Sequence, residues 1–143
     1  MRRKPNGINQ KIFTKKNCMF LIISVIIETA ISLFIYDHFY NLGYNYAQTL
    51  ALLSIIINEF VFAYNCRSLR EPIHKKGFFS NKYLNYGILG LFIVQIIVFL
   101  TPVGIIFNLA QITVSQFIFV ILINIISFIL IEILKAIIKK VYD

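Results

Sequence analysis

The sequence predicts an all-α membrane protein of four transmembrane helices with both termini in the cytoplasm. Three observations carry that expectation. Charged residues make up 14% of the 143 and apolar ones 59%, with a mean hydropathy of +0.79, whereas soluble domains carry about 25% charged residues. The apolar residues gather in runs of spanning length, because a helix rises 1.5 Å per residue and roughly 20 residues cross the hydrocarbon core. The basic residues, finally, occupy only some of the segments that flank those runs.

The first helix is expected over residues 18–36, interrupted only by Glu28, and the second over 46–65, interrupted by Glu59. The third covers 83–100, with Gln95 as its strongly polar interior residue, and the fourth 114–138, which carries Gln116, Asn124 and Ser127 before Glu132 and Lys135. Ile, Phe and Val are abundant in all four and would suggest strands in a soluble protein. Run length, the lack of alternation, and the need to satisfy every backbone group within lipid favour helices instead.

The connections differ in kind. "DHFYNLGYN" (37–45) offers turn chemistry at Asp37, Asn41 and Gly43, with tyrosines at interface depth, and "TPVGIIFNLAQIT" (101–113) opens on Thr101, Pro102 and Gly104. Both are short. The segment "CRSLREPIHKKGFFSNK" (66–82) is polar and basic and is broken by Pro72 and Gly77. No linker or repeat divides the chain, so residues 1–143 are expected to form one four-helix membrane domain.

Charge placement gives the orientation. Arg2, Arg3, Lys4, Lys11, Lys15 and Lys16 precede the first helix, while Arg67, Arg70, Lys75, Lys76 and Lys82 lie in the middle segment. Lys135, Lys139 and Lys140 come at the end of the fourth helix, and neither short loop holds a basic residue. Since cytoplasmic loops collect Lys and Arg, the termini and the middle loop are assigned to the cytoplasm. The net charge of +8 is thus a topology signal. Nucleic acid is not an expected partner, because the charges flank membrane spans instead of forming one patch.

The basic start followed by an apolar run has the outline of a secretory signal, but the run is about 19 residues long and no small-x-small site follows, so retention is expected. Cys18 and Cys66 fall at cytoplasmic helix ends, and their spacing suggests neither a disulfide framework nor a metal site. No glycine-rich phosphate loop, Cys/His cluster, or nucleophile beside a histidine is present. His38 and His74 lie on opposite membrane sides in this topology and cannot act together. No catalytic residue and no cofactor site are therefore expected.

The intramembrane acids remain. A charged residue near a helix centre costs about 2.5–3.5 kcal/mol on insertion scales, so such residues face a partner, a cavity or a transport path. Glu59 lies six residues before Asn65, hence about 9 Å inside the cytoplasmic end of its helix. It is either a cation ligand or a protonated packing group hydrogen-bonded to a neighbouring helix. Glu28 sits nearer the middle of the first helix, and Glu132 has Lys135 at i+3 to pair with.

The stretches "EFVFAYNCRS" (59–68) and "GFFSNKYL" (77–84), the Pro102 loop with "IIF", and "EILK" (132–135) together resemble the C-terminal membrane region of calcium-transporting P-type ATPases. The opening "MRRKPNG" followed by "KIF" resembles the cytoplasmic link before the last four helices of those pumps. The resemblance covers nearly the whole chain through the order and spacing of weak motifs. It implies that Glu59, in the helix ending Asn65-Cys66-Arg67-Ser68, supplies an oxygen to a transported cation, Ca²⁺ being a hard ion that favours such donors. Glu28 matches no ligand position of the family.

The sequence also departs from those pumps. It holds no D-K-T-G-T phosphorylation motif, nucleotide-binding domain or actuator domain, and a single carboxylate does not hold Ca²⁺, which takes six to eight oxygens. The chain alone is therefore expected not to be an enzyme. Its implied partner is the lipid bilayer, with the plasma membrane of a bacterium as its setting; the resemblance leaves open a separately encoded piece that assembles with an N-terminal, catalytic portion of such an ATPase, or a remnant of a disrupted gene. Ca²⁺ is preferred only through the resemblance. Two other readings compete: a small four-helix proton-coupled exporter using Glu28, and a non-transporting membrane interaction protein whose acids fix helix packing.

Overall fold

The computed structural model describes residues 15–66 and 81–142. The N-terminal "MRRKPNG", most of the basic middle segment, and with it Arg67 to Lys76 lie outside the described residues. Helix α1 spans Lys15–Phe39, α2 Tyr44–Cys66, α3 Lys82–Leu100 and α4 Val114–Tyr142. Short 3-10 segments occupy Tyr40–Leu42 and Pro102–Phe107. No strand occurs among the described residues. All four helices are long and apolar enough to cross a membrane, and the chain is a multi-pass membrane protein.

Two helices outrun their expected bounds substantially. Asp37 and His38, read as loop, complete the last turn of α1, and α4 continues to Tyr142. A helix does not end where the hydrocarbon does, because its backbone bonds persist until a residue breaks them. Gly43 supplies that break: at φ 116 it adopts a conformation few residues tolerate. Its N–H donates to the Tyr40 carbonyl at 3.0 Å, and its own carbonyl accepts from Ala47 N–H at 3.1 Å, so one residue closes the first hairpin and opens α2. His38 stacks on Phe119 of α4 with centroids 5.3 Å apart, giving it a packing role.

The second short connection is more ordered than a loop. Thr101 Oγ1 donates to the Ile97 carbonyl at 2.6 Å and accepts from Val103 N–H, which ends α3 and starts the 3-10 segment. Gly104 lies so near the Val98 carbonyl oxygen that a Cβ would collide with it. Thr113 and Gln116 then form a capping box at the start of α4: Gln116 N–H donates to Thr113 Oγ1 at 3.3 Å, and Thr113 N–H to Gln116 Oε1 at 2.8 Å. Gln116, a polar residue of the span as expected, also caps the helix from its first turn.

Helices α1, α2 and α4 pack on one another, whereas α3 touches α2 over a short stretch and buries only Phe99. One apolar cluster joins Ile35, Leu50, Leu53, Phe117 and Val120 toward the hairpin end, and a smaller one joins Phe20, Ile131 and Ile138 at the other end. Between them lies a polar layer. Many large apolar side chains point outward, including Ile22, Val25, Tyr83 and Leu122, as expected where the solvent is hydrocarbon.

Candidate functional site

The polar layer begins with side chains four residues apart. Glu28 and Ser32 lie on one face of α1, and Ser54 and Asn58 on one face of α2. The two helices run antiparallel, so advancing along one retreats along the other and the pairs meet. Asn58 Nδ2 donates to the backbone carbonyl of Glu28 and to Ser32 Oγ, both at 3.4 Å. One turn further, Ser32 and Ser54 hydroxyls lie 3.3 Å apart. Ser54 also meets α4: its Oγ accepts from Asn124 Nδ2 at 3.1 Å and lies 3.2 Å from Asn124 Oδ1. Asn124 Nδ2 donates in addition to its own helix at the Val120 carbonyl, 2.8 Å away. Ser32, Ser54, Asn58 and Asn124 are all buried. Such small and amide side chains hold membrane helices together where lipid leaves no hydrophobic force between them.

On the outer side of this layer a groove of about 340 Å³ opens between α1 and α2. Glu28, Thr29 and Ser32 line it from α1, and Asn58 and Glu59 from α2, with Val25, Leu33 and Ile55 supplying apolar wall. No Lys or Arg is among its lining residues. Glu28 is half-buried and one of its carboxylate oxygens, Oε1, is buried with no hydrogen-bond partner. Asn58 is 3% exposed, and its Oδ1 is likewise buried and unpartnered. Glu59, next in sequence, is exposed. The helical step of about 100° turns Asn58 into the layer and leaves Glu59 on the outward lip.

The sequence-predicted acids thus separate into two places. Glu28 and Glu59, expected to belong to rival readings, line the same groove. Glu132 is elsewhere and pairs with Lys135, Nζ to Oε1 at 3.1 Å, with the ammonium 5.7 Å from the Phe20 ring centre. Asn58 and Ser32 are not among the sequence-predicted residues. Their signal is the four-residue spacing of polar side chains, Ser24-Glu28-Ser32 and Ser54-Asn58, inside otherwise apolar runs. Cys18 and Cys66 are both free thiols, Cys66 exposed.

Chemically the groove offers oxygen acceptors: two carboxylates, one amide carbonyl and the three hydroxyls of Thr29, Ser32 and Tyr36. Hard cations bind such donors, and softer transition metals prefer nitrogen and sulfur. Among the described residues no group of three or more His, Cys, Asp and Glu gathers in a way that could hold a metal ion.

Comparison with known proteins places the chain in context. A calcium-transporting ATPase 1 of Bacillus cereus is 33% identical over 91 residues, which is 63% of this chain and 10% of that relative. The chain thus spans about a tenth of the length of the curated relative it matches. No solved structure matches it. The family described as cation transporting ATPase, C-terminus, matches residues 1–137. With that match covering nearly its whole length and four spanning helices behind it, the chain belongs to the family of C-terminal membrane regions of P-type cation-transporting ATPases.

Proposed function

We propose that this chain serves as the C-terminal membrane part of a P-type pump for Ca²⁺ or a related cation in a bacterial plasma membrane, and that Glu59 donates an oxygen to the transported ion. The observation that carries this reading is the position of Glu59. It is exposed on the outside of the helix bundle, seven residues from the end of α2 at Cys66 and so about 10 Å into the span. An ionised carboxylate facing hydrocarbon there costs about 2.5–3.5 kcal/mol. Further pump helices laid against α1 and α2 remove that cost by replacing lipid with other oxygen donors and a cation. Family membership supports the same assembly, since the matched relative is a calcium-transporting ATPase.

The catalytic portion that phosphorylates and binds nucleotide is the proposed partner. The purified 143-residue chain by itself is expected to hydrolyse no ATP and to form no phosphoenzyme. With both termini and the Arg67–Lys82 segment proposed as cytoplasmic, cysteine labelling in that segment from the outside is expected to fail.

The test of Glu59 is ATP-dependent cation uptake into vesicles holding this chain and its candidate catalytic partner. Glu59→Gln keeps size and one carbonyl donor but loses charge, and Glu59→Ala loses the ligand. Cation affinity is expected to fall for Gln and further for Ala. Unchanged affinity in Glu59→Ala, at equal assembly, removes Glu59 from the cation path and leaves it a packing group.

A further inference from the structure

The groove contains more acceptor capacity than its neighbours use. Asn58 commits its Nδ2 to the Glu28 carbonyl and to Ser32, which leaves Oδ1 as a buried acceptor without a donor. Glu28 Oε1 is in the same condition, and an ionised carboxylate only accepts. Glu59 lines the same cavity. Three oxygen-bearing groups therefore line one space, and the buried oxygens of two of them, Glu28 Oε1 and Asn58 Oδ1, meet no hydrogen-bond donor. Left so, each buried acceptor loses its hydration with no hydrogen bond in exchange. A bound cation satisfies them together.

We propose that Glu28, Asn58 through Oδ1, and Glu59 form one divalent-cation site shared by α1 and α2, in which Glu28 is a second carboxylate beside Glu59. This rests on the reading of Glu59 given above and adds the donors that a lone carboxylate lacks. Two carboxylates match the charge of a divalent ion and supply up to four oxygens. Asn58 adds a fifth, and the Thr29 and Ser32 hydroxyls in the groove wall bring the set to the six to eight that Ca²⁺ takes. At about 340 Å³ the groove also admits water, each molecule needing roughly 30 Å³, so the ion keeps part of its hydration shell. An open site of this kind binds weakly, in the range of about 10⁻⁴–10⁻³ M.

The experiment uses the full chain in lipid nanodiscs, with Ca²⁺ alone as the probe, measured by flow dialysis with the radioactive ion. One Ca²⁺ per chain is expected. Glu28→Gln and Glu59→Gln should each weaken it by about tenfold or more, because affinity follows the ligand charge count, while Glu132→Gln, outside the groove, should leave it unchanged. Wild-type binding in Glu28→Gln, with binding lost in Glu59→Gln, overturns the second carboxylate and leaves the Glu59 reading standing. No binding to the wild-type chain overturns the shared site, whereas the pump reading is decided separately by cation uptake with the partner. Should Glu28→Gln fail to fold, the wild-type chain gives the answer by reaction with dicyclohexylcarbodiimide and mass spectrometry of the modified acids. Ca²⁺ is expected to protect Glu28 and Glu59 in parallel, and protection of Glu59 alone overturns the proposal.

Discussion

The three-helix unit of α1, α2 and α4 and the outlying α3 are all apolar enough to cross a membrane yet held in different ways. Buried Ser32, Ser54, Asn58 and Asn124 knit the first three together. Helix α3 buries only Phe99, and Tyr64 Oη of α2 donates to its Asn85 Oδ1 at 2.8 Å. Its Phe92, Val98 and Leu100 pack against the hairpin-end cluster, and its connection to α4 adds a further tie. The Ala110 N–H donates to Thr49 Oγ1 on α2 at 2.9 Å, which fastens the connecting segment to the core. In lipid, apolar content decides whether a helix inserts, and small or polar side chains and close backbone approach decide what it packs against.

The sharpest way to break that contrast is at the connection itself. Gly104→Val forces side-chain atoms into the Val98 carbonyl and should destabilise the fold by about 2–3 kcal/mol, measured by unfolding in mixed detergent followed by far-UV circular dichroism. Asn124→Leu comes next. It removes the α4 partner of Ser54 and should cost about 1–2 kcal/mol. In a double-mutant cycle with Ser54→Ala the effects should be less than additive, because both delete the same contact; full additivity would show that Asn124 acts elsewhere. Tyr64→Phe, which removes the hydrogen bond from α2 to Asn85 of α3, should cost about 0.5–1 kcal/mol in the same assay. A loss as large as that of Asn124→Leu would mean that α3 is bound as firmly as the core.

The contrast also explains what the sequence made legible. Four spans and the Glu132–Lys135 pair were readable because length, hydropathy and i+3 spacing are local properties. Gln116 lies in the fourth span as expected, but its bonds to Thr113 are not legible, because an in-span amide and a first-turn cap look alike in the sequence. The meeting of Glu28 with Glu59 was hidden for a different reason. It depends on the register between two antiparallel helices, set by Ser32–Ser54 and Asn58–Glu28 contacts 22 and 30 residues apart. Periodicity within one helix gives the face but not the partner. Asn58 escaped notice beside Glu59 because one step of the helix separates a buried amide from an exposed acid.

The smallest expected effect tests what covers α3. Leu91 is 53% exposed on that helix. If its outer face meets lipid, Leu91→Ala exchanges one apolar contact with acyl chains for a smaller one in the folded state and in the membrane-inserted unfolded state alike. The difference largely cancels, so stability should change by no more than about 0.5 kcal/mol. A buried leucine in a packed protein interface behaves otherwise, because truncation leaves a cavity worth about 2–5 kcal/mol. The measurement is therefore run twice: on the chain alone, where the change should be small, and on the chain assembled with the proposed catalytic partner. A loss confined to the assembled state places α3 against the partner's helices. A loss of about 2 kcal/mol in the chain alone would show that α3 already packs against protein, as a second copy of this chain, and would overturn its description as the lipid-facing outlier of the bundle.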